Sequence, residues 1–206
     1  MLIFNAERHE YTLDGEVLPS VTTVLQDVGI IDYSRIPRET RESALHRGRC
    51  VHVATQYDDE HYFGICRQPL DEASIDPEHM PYVEAWRRFR REKKFRADLI
   101  EHRGYHPGHR YAGTLDRTGF FEDHPAFRIC LDIKSGTAEP WVQIQTAAYC
   151  AFFEHPRQYL RMCVELHADE TYKIYTFHAR HWQADFNRFL YALETFRIKR
   201  SLKWAA

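Results

Sequence analysis

The sequence predicts a mixed α/β fold, a central sheet flanked by helices, on three observations. Apolar residues recur at helical spacing in the longer segments, they alternate or run together in shorter ones, and the two kinds of segment interleave along the chain. The order is helices first, then a three-strand meander, one crossover helix, further strands and a closing helix. At 206 residues with 44% hydrophobic content, the chain can bury one core well and is short for two, so a single domain over 1–206 is expected.

Residues 4–18 read as two short strands around Asp14-Gly15, a strong tight-turn dipeptide. Ser20 is the expected N-cap of a first helix that Gly29 stops. A second helix begins near Pro37 and runs to Tyr57 or beyond. A loop rich in proline and acidic residues spans 68–77. The third helix carries Tyr82, Trp86 and Phe89 at helical spacing, which marks them as core. Strands are expected over 96–104, 111–121 and 126–135, with the turn-like EDHP between the last two. A helix over about 138–154, strands over 158–166 and 171–177, and an amphipathic helix over about 182–199 complete the chain.

Net charge of −2 and a pI near 6.7 exclude the strongly basic footprint of a nonspecific nucleic-acid coat protein, so any such contact must come from local patches. Two candidates stand out, the run WRRFRREKKFR at 86–96 and the arginines Arg35, Arg38, Arg41, Arg47 and Arg49. Solvated helix faces explain either patch equally well. Five cysteines, Cys50, Cys66, Cys130, Cys150 and Cys163, form no C-x-x-C pair, which suggests neither a zinc ribbon nor an iron–sulfur cluster. Odd in number and set mostly in apolar segments, they fit a reducing cytoplasm, with Cys130, Cys150 and Cys163 as core filler. No signal peptide or bilayer-length apolar run is apparent, so a soluble intracellular protein without a membrane partner is expected.

The chemistry concentrates in the predicted hairpin. If its loop centres near His124, Asp116 falls opposite Asp132 or one residue away, and cross-strand Cβ atoms stand roughly 4.5–5.5 Å apart. Like charges so placed require a cation between them, a proton on one carboxylate, or a nearby base such as Lys134. Side chains alternate along a strand, so Asp132 and Lys134 share a face while Ile133 points to the other. Two carboxylates and a lysine gathered in this way suggest a divalent-metal site that cuts phosphodiester bonds.

Three further features have company there. Gln145 and Tyr149 lie four apart on one helix face and can bond phosphate or water without adding charge, although an ordinary amphipathic helix explains them too. Gly48 and His52 are likewise four apart. A mid-helix glycine costs about 1 kcal/mol against alanine and marks close approach of a backbone or ligand, and a neutral imidazole one turn on is a metal ligand or a structural histidine. Glu101, on the preceding strand, adds a carboxylate to the site or is an exposed strand residue.

Taken in order, Gly48-x-x-x-His52, Glu101, Gly113-Thr-Leu-Asp116, Asp132-Ile-Lys134 and Gln145-x-x-x-Tyr149 resemble the RecB-type branch of the PD-(D/E)XK nuclease superfamily. The likeness spans about 47–149, and YTLDGEVLPSVTTVL resembles the opening of phage and prophage nucleases of this group, including relatives of the mitochondrial genome maintenance exonuclease. It implies a restriction-endonuclease-like sheet and a metal-dependent deoxyribonuclease, an exonuclease acting on DNA ends or single strands in recombination, repair or phage DNA processing. Asp116 and Asp132 would hold Mg²⁺ or Mn²⁺, with His52 and the Ile133 carbonyl completing the ligands. Lys134 would orient and help deprotonate the attacking water and stabilise the developing charge, and Gln145 and Tyr149 would position the DNA strand or the lysine. The cysteine spacing departs from the cluster-bearing members, so the cluster-free form is implied, in a bacterial or phage context and with a recombination partner protein.

Tyr33, Tyr105 and Trp141 are candidates for contact with single-stranded DNA. Two rival functions remain, a nuclease-fold DNA-binding or assembly module without turnover, and a zinc hydrolase built on His102, His106 and His109 near His124.

Overall fold

The computed structural model describes residues 1–202 and has the mixed α/β architecture that the interleaved periodicities predict. At the N-terminus β1 (Leu2–Asn5), β2 (Glu10–Leu13) and β3 (Glu16–Leu18) form a small antiparallel sheet. Asp14 and Gly15 both take positive φ, 51° and 88°, the two-residue hairpin turn their sequence favours. The reading has two strands here and the structure three. The added β1 is held as Phe4 packs its ring 4.7 Å from that of Tyr11, a contact across the Asn5–His9 loop with no local signature.

Helix α1 (Val21–Asp27) starts at Ser20, whose hydroxyl accepts the Thr23 N–H at 3.0 Å. Helix α2 (Arg38–Tyr62) runs seven turns, and α3 (Met80–Lys93) ends on Lys94 in the left-handed region. A five-stranded sheet follows in the order β4 (Phe95–His106), β5 (Tyr111–Phe121), β6 (His124–Lys134), β7 (Tyr159–Leu166), β8 (Tyr172–Phe177). Only the β6–β7 pair is parallel, and α4 (Val142–Cys150) lies in the connection that a parallel pair requires. Helix α5 (Trp182–Ser201) closes the described chain.

Both faces of the sheet are covered, and β6 shows how. Cys130 joins α1, α4 and α5 in one core with Val24, Leu25, Phe186 and Phe189, while Ile129, Leu131 and Ile133 join Val51 of α2 and Trp86 and Phe89 of α3 in the other. Trp86 and Phe89 are fully buried as their spacing predicts, and Tyr82 packs at the edge. Cys130, Cys150 and Cys163 are buried. Among the described residues no helix is long and apolar enough to cross a membrane.

Two boundaries differ from the pattern for local reasons. α4 begins at Val142 rather than near 138, because Pro140 disfavours helical backbone in the residue before it. β6 begins at His124, with Phe121 paired to His124 across Glu122 and Asp123. The strand then takes five steps to Ile129 while β5 takes two to Gly119, and this bulge accommodates Pro125. Gly119 itself lies so near β4 that a Cβ there would come 2.0 Å from the Arg96 carbonyl oxygen. Gly119→Ala is therefore expected to lower stability by about 3 kcal/mol, measured by urea denaturation, whereas a loss within 0.5 kcal/mol would contradict this approach of β4.

Candidate functional site

The last regular pair of the β5–β6 ladder is Arg117 with Leu131, and one further step sets Asp116 opposite Asp132. Asp116 is locked in place, since its Oδ2 accepts the Ile133 N–H at 2.6 Å. Its Oδ1 faces His52 of α2, whose Nδ1 lies at 3.5 Å, and the same nitrogen is 3.6 Å from Oε1 of Glu101. One ligand atom from each of His52, Glu101 and Asp116 lies within 4.8 Å of the others, a group of donors that could hold a metal ion. The other nitrogen of His52, Nε2, is 3.0 Å from the Ile133 carbonyl oxygen. That contact fixes the ring so that Nδ1 is the nitrogen turned toward the two carboxylates. A backbone carbonyl often orients a metal-binding histidine in this way. Ile133 thus reaches the site through its main chain, anchoring Asp116 with its N–H and His52 with its carbonyl.

Glu101 is placed by unusual backbone. Its neighbours pair regularly, Ile100 with Arg117 and His102 with Leu115, yet Glu101 is skipped in the ladder and takes φ of 46°. A non-glycine residue held there costs on the order of 1–3 kcal/mol and persists only where its surroundings enforce it. Arg117, fully buried, is the enforcing group. Its Nη1 donates to Glu101 at 3.1 Å, its Nε to Asp59 of α2 at 2.7 Å, and Asp59 also accepts from the Trp86 indole at 3.0 Å.

Asp132 turns away from this group toward Lys134. The Lys134 Nζ sits 2.7 Å from Asp132 Oδ2 and 3.4 Å from the Gln145 side-chain oxygen, and Gln145 donates to the Tyr149 hydroxyl at 3.0 Å. The i, i+4 pair on α4 therefore looks back at the strand. Tyr149 can lie there because β5 offers Gly113, where a Cβ would come 2.7 Å from its ring. Gly48 lies on the His52 face of α2 near Ser135. A Cβ there would meet the Ser135 hydroxyl at an ordinary 3.9 Å, so packing within the protein does not demand glycine.

Burial governs the electrostatics. Desolvation pushes Asp116 above the usual carboxylate range, with Glu101 adding to the shift and His52 opposing it. Asp132 is raised to about 6, by burial first and by Asp116, against the pull of Lys134. Burial alone would lower His52, yet Asp116 and Glu101 outweigh it and hold the imidazole at about 9. Lys134 is likewise lifted above its usual value, as Asp132 and Asp116 overcome its desolvation. The two bases thus carry the charge that offsets the carboxylates.

The remaining candidates scatter. His102 stacks on Phe153, and His106 lies against Tyr111 and Phe186 with its Nδ1 accepting the His109 amide. His124 sits at the far end of β6. Among the described residues the His52, Glu101 and Asp116 group alone brings three such ligands together, and these histidines take no part in it. Tyr105 packs against the small sheet with Tyr11 and Leu18, whereas Tyr33 and Trp141 pack against the core that includes α4, Trp141 with its ring beside Lys134. In the 86–96 run, Arg87, Arg88, Arg90, Lys94 and Arg96 are each paired with carboxylates. On α2, Arg47 and Arg49 donate to the backbone of Ser135 and Leu45, which leaves more positive potential there.

A scan against protein-family models and a search of the curated proteins each find no match to the chain.

Sequence reasoning missed Arg117 and Asp59, whose partnership joins residues 58 apart. Removing one member of a buried ion pair strands the other, so Asp59→Ala is expected to cost about 3–5 kcal/mol in urea denaturation. The double variant Asp59→Leu/Arg117→Leu should recover part of that loss. Equal or greater destabilisation by the double variant would contradict the stranded-charge account.

Proposed function

We propose that this chain is a Mg²⁺- or Mn²⁺-dependent nuclease that hydrolyses DNA phosphodiester bonds, on the plan of the PD-(D/E)XK superfamily that its motifs resemble. The observation that carries the reading is the convergence of His52, Glu101 and Asp116 within 4.8 Å, one strand from the Asp132–Lys134 pair. Carboxylate oxygens suit Mg²⁺ and Mn²⁺, and an imidazole nitrogen is also accepted by Mn²⁺. Two neighbouring carboxylates raised in pKa by burial, Asp116 also by Glu101 and Asp132 also by Asp116, form a site that favours added positive charge. His52 Nδ1, Glu101 and Asp116 would hold the ion, with Asp132 adjoining them. A bound divalent ion supplies Lewis-acid polarisation of the phosphate and lowers the pKa of water.

The chain's own groups do the rest. Lys134 stays an ammonium under the pull of Asp132 and Asp116, so it acts as hydrogen-bond donor and positive charge toward a phosphate oxygen rather than as a base. Asp132 fixes its Nζ at 2.7 Å, and Gln145 approaches the same nitrogen, so the lysine is aimed before substrate arrives. Tyr149 steadies Gln145, and Gly113 makes room for Tyr149. On α2 Gly48 and the backbone-bonded Arg47 lie beside Ser135, and Arg47 offers a guanidinium to an approaching DNA phosphate.

Purified protein is expected to degrade DNA when Mg²⁺ or Mn²⁺ is added and to stop when EDTA removes it. Lys134→Ala and Asp116→Ala should each lose roughly 10²–10³-fold in rate, with far-UV circular dichroism unchanged. Cleavage by Lys134→Ala at the wild-type rate would refute the assignment.

A further inference from the structure

Arg103 lies on β4 two residues beyond Glu101, and across the β4–β5 ladder it pairs with Thr114, two residues before Asp116. Its side chain is exposed, and among the described residues no carboxylate pairs with it. The guanidinium lies instead over the Phe4 ring, 4.7 Å from the centroid. Phe4 belongs to the small N-terminal sheet, which docks on this end of the hairpin. The Tyr11 hydroxyl is 2.7 Å from the Thr114 hydroxyl, the Ala112 N–H donates to the Pro19 carbonyl at 3.0 Å, and Tyr105 packs with Tyr11 and Leu18. Burial raises the Tyr11 phenol against the pull of its Thr114 bond, and the charges of Arg103 and Glu101 both reach it. Arg103 is therefore a neighbour of the proposed metal ligands. In the sheet order it stands on β4 and Lys134 on β6, with Asp116 on the strand between them.

We propose that Arg103, seated on Phe4, is a substrate-positioning residue that binds the backbone phosphate flanking the one to be cut, on the side of the site remote from Lys134. The proposal rests on the nuclease reading above. A guanidinium laid on a ring uses its face, so the N–H donors at its edge stay available for a fork of hydrogen bonds to two phosphate oxygens. Thr114 and Asp116 are two residues apart, about 7 Å along the strand, a reach comparable with the step between successive phosphates. Lys134 and Arg47 then face the nucleic acid from one flank and Arg103 from the other, so the scissile phosphate is held between fixed contacts. A cation at the rim also offsets the repulsion that the carboxylates exert on an approaching polyanion. The contact carries no base information, so it raises affinity for every sequence. Through Phe4 the small sheet becomes part of the substrate-binding surface.

The test reads charge rather than folding. In a Lys134→Ala background, which keeps the proposed metal ligands, fluorescence anisotropy with Ca²⁺ present follows a labelled DNA oligonucleotide over about 50–200 mM salt. Each phosphate contact contributes about 0.7–0.9 to the slope of log Kd against log salt. Arg103→Gln is expected to raise Kd roughly tenfold at the lowest salt and to reduce that slope by about one contact. Arg103→Lys keeps the charge and should keep the slope, with a loss of less than about threefold. Phe4→Leu, which removes the seat, should weaken binding while the slope stays within error. With Lys134 restored, Arg103→Gln should show its loss in KM, with kcat within about twofold of wild type. An unchanged salt slope in Arg103→Gln, equal binding by the Gln and Lys variants, or a loss confined to kcat would each overturn the proposal. Failure of the nuclease reading shows itself separately, as an absence of metal-dependent cleavage by the wild type. An active wild type whose DNA affinity is indifferent to Arg103 would leave that reading standing and this one lost.

Discussion

Burying carboxylates together is unfavourable unless positive charge comes with them, and the candidate site is organised around that constraint. Asp116 and Asp132 lie on neighbouring strands of a sheet covered on both sides, Asp116 turned to His52 and Glu101 and Asp132 to Lys134. Desolvation raises both aspartates, with Glu101 adding to the shift of Asp116 and Asp116 to that of Asp132. The compensation is local and divided. His52 answers Asp116 and Glu101, Lys134 answers Asp132, and Arg117 adds a buried guanidinium behind Glu101.

Each compensating group reaches the sheet from a different part of the chain, which ties the fold to the site. His52 needs α2 to pass over the end of β6, and it is anchored there by the Ile133 carbonyl. Arg117 needs Asp59, seven residues further along the same helix, and Asp59 in turn takes the indole N–H of Trp86, the largest residue of that core. Packing of α2 and α3 on the sheet therefore also aims Glu101 from behind. On the other face, α4 carries the Lys134 contact through Gln145 and Tyr149, in the space Gly113 leaves. Small disturbances far from the carboxylates should accordingly be felt at them.

Much of this was legible in the residues. Periodicity gave the order of elements, because the helices are amphipathic enough and long enough to declare themselves. Asp-Gly at 14–15 and Ser20 acted as local signals and behave so in three dimensions. Asp116 opposite Asp132, Lys134 on the face of Asp132, and Gln145 with Tyr149 on one helix face all follow from strand and helix periods. What escaped were facts of long-range partnership. The 86–96 run resembles a basic patch until α2 and the loops bring Asp58, Asp59, Glu122 and Asp123 against it. The left-handed backbone of Glu101 carries no sequence mark, since glutamate does not favour it and the contact that meets its side chain comes from Arg117, sixteen residues on. The extra strand β1 depends on a ring contact across a loop.

The most direct test of the account is calorimetric titration with Mn²⁺, because the charge constraint predicts a cation before it predicts any reaction. Wild-type protein should bind Mn²⁺ with a stoichiometry of at least about one, and Asp116→Asn and Glu101→Gln should each lose tenfold or more in affinity while folding normally. Binding that survives both substitutions unchanged, or no binding by the wild type, would show that histidine and lysine alone satisfy these carboxylates and that the cluster is not a metal centre.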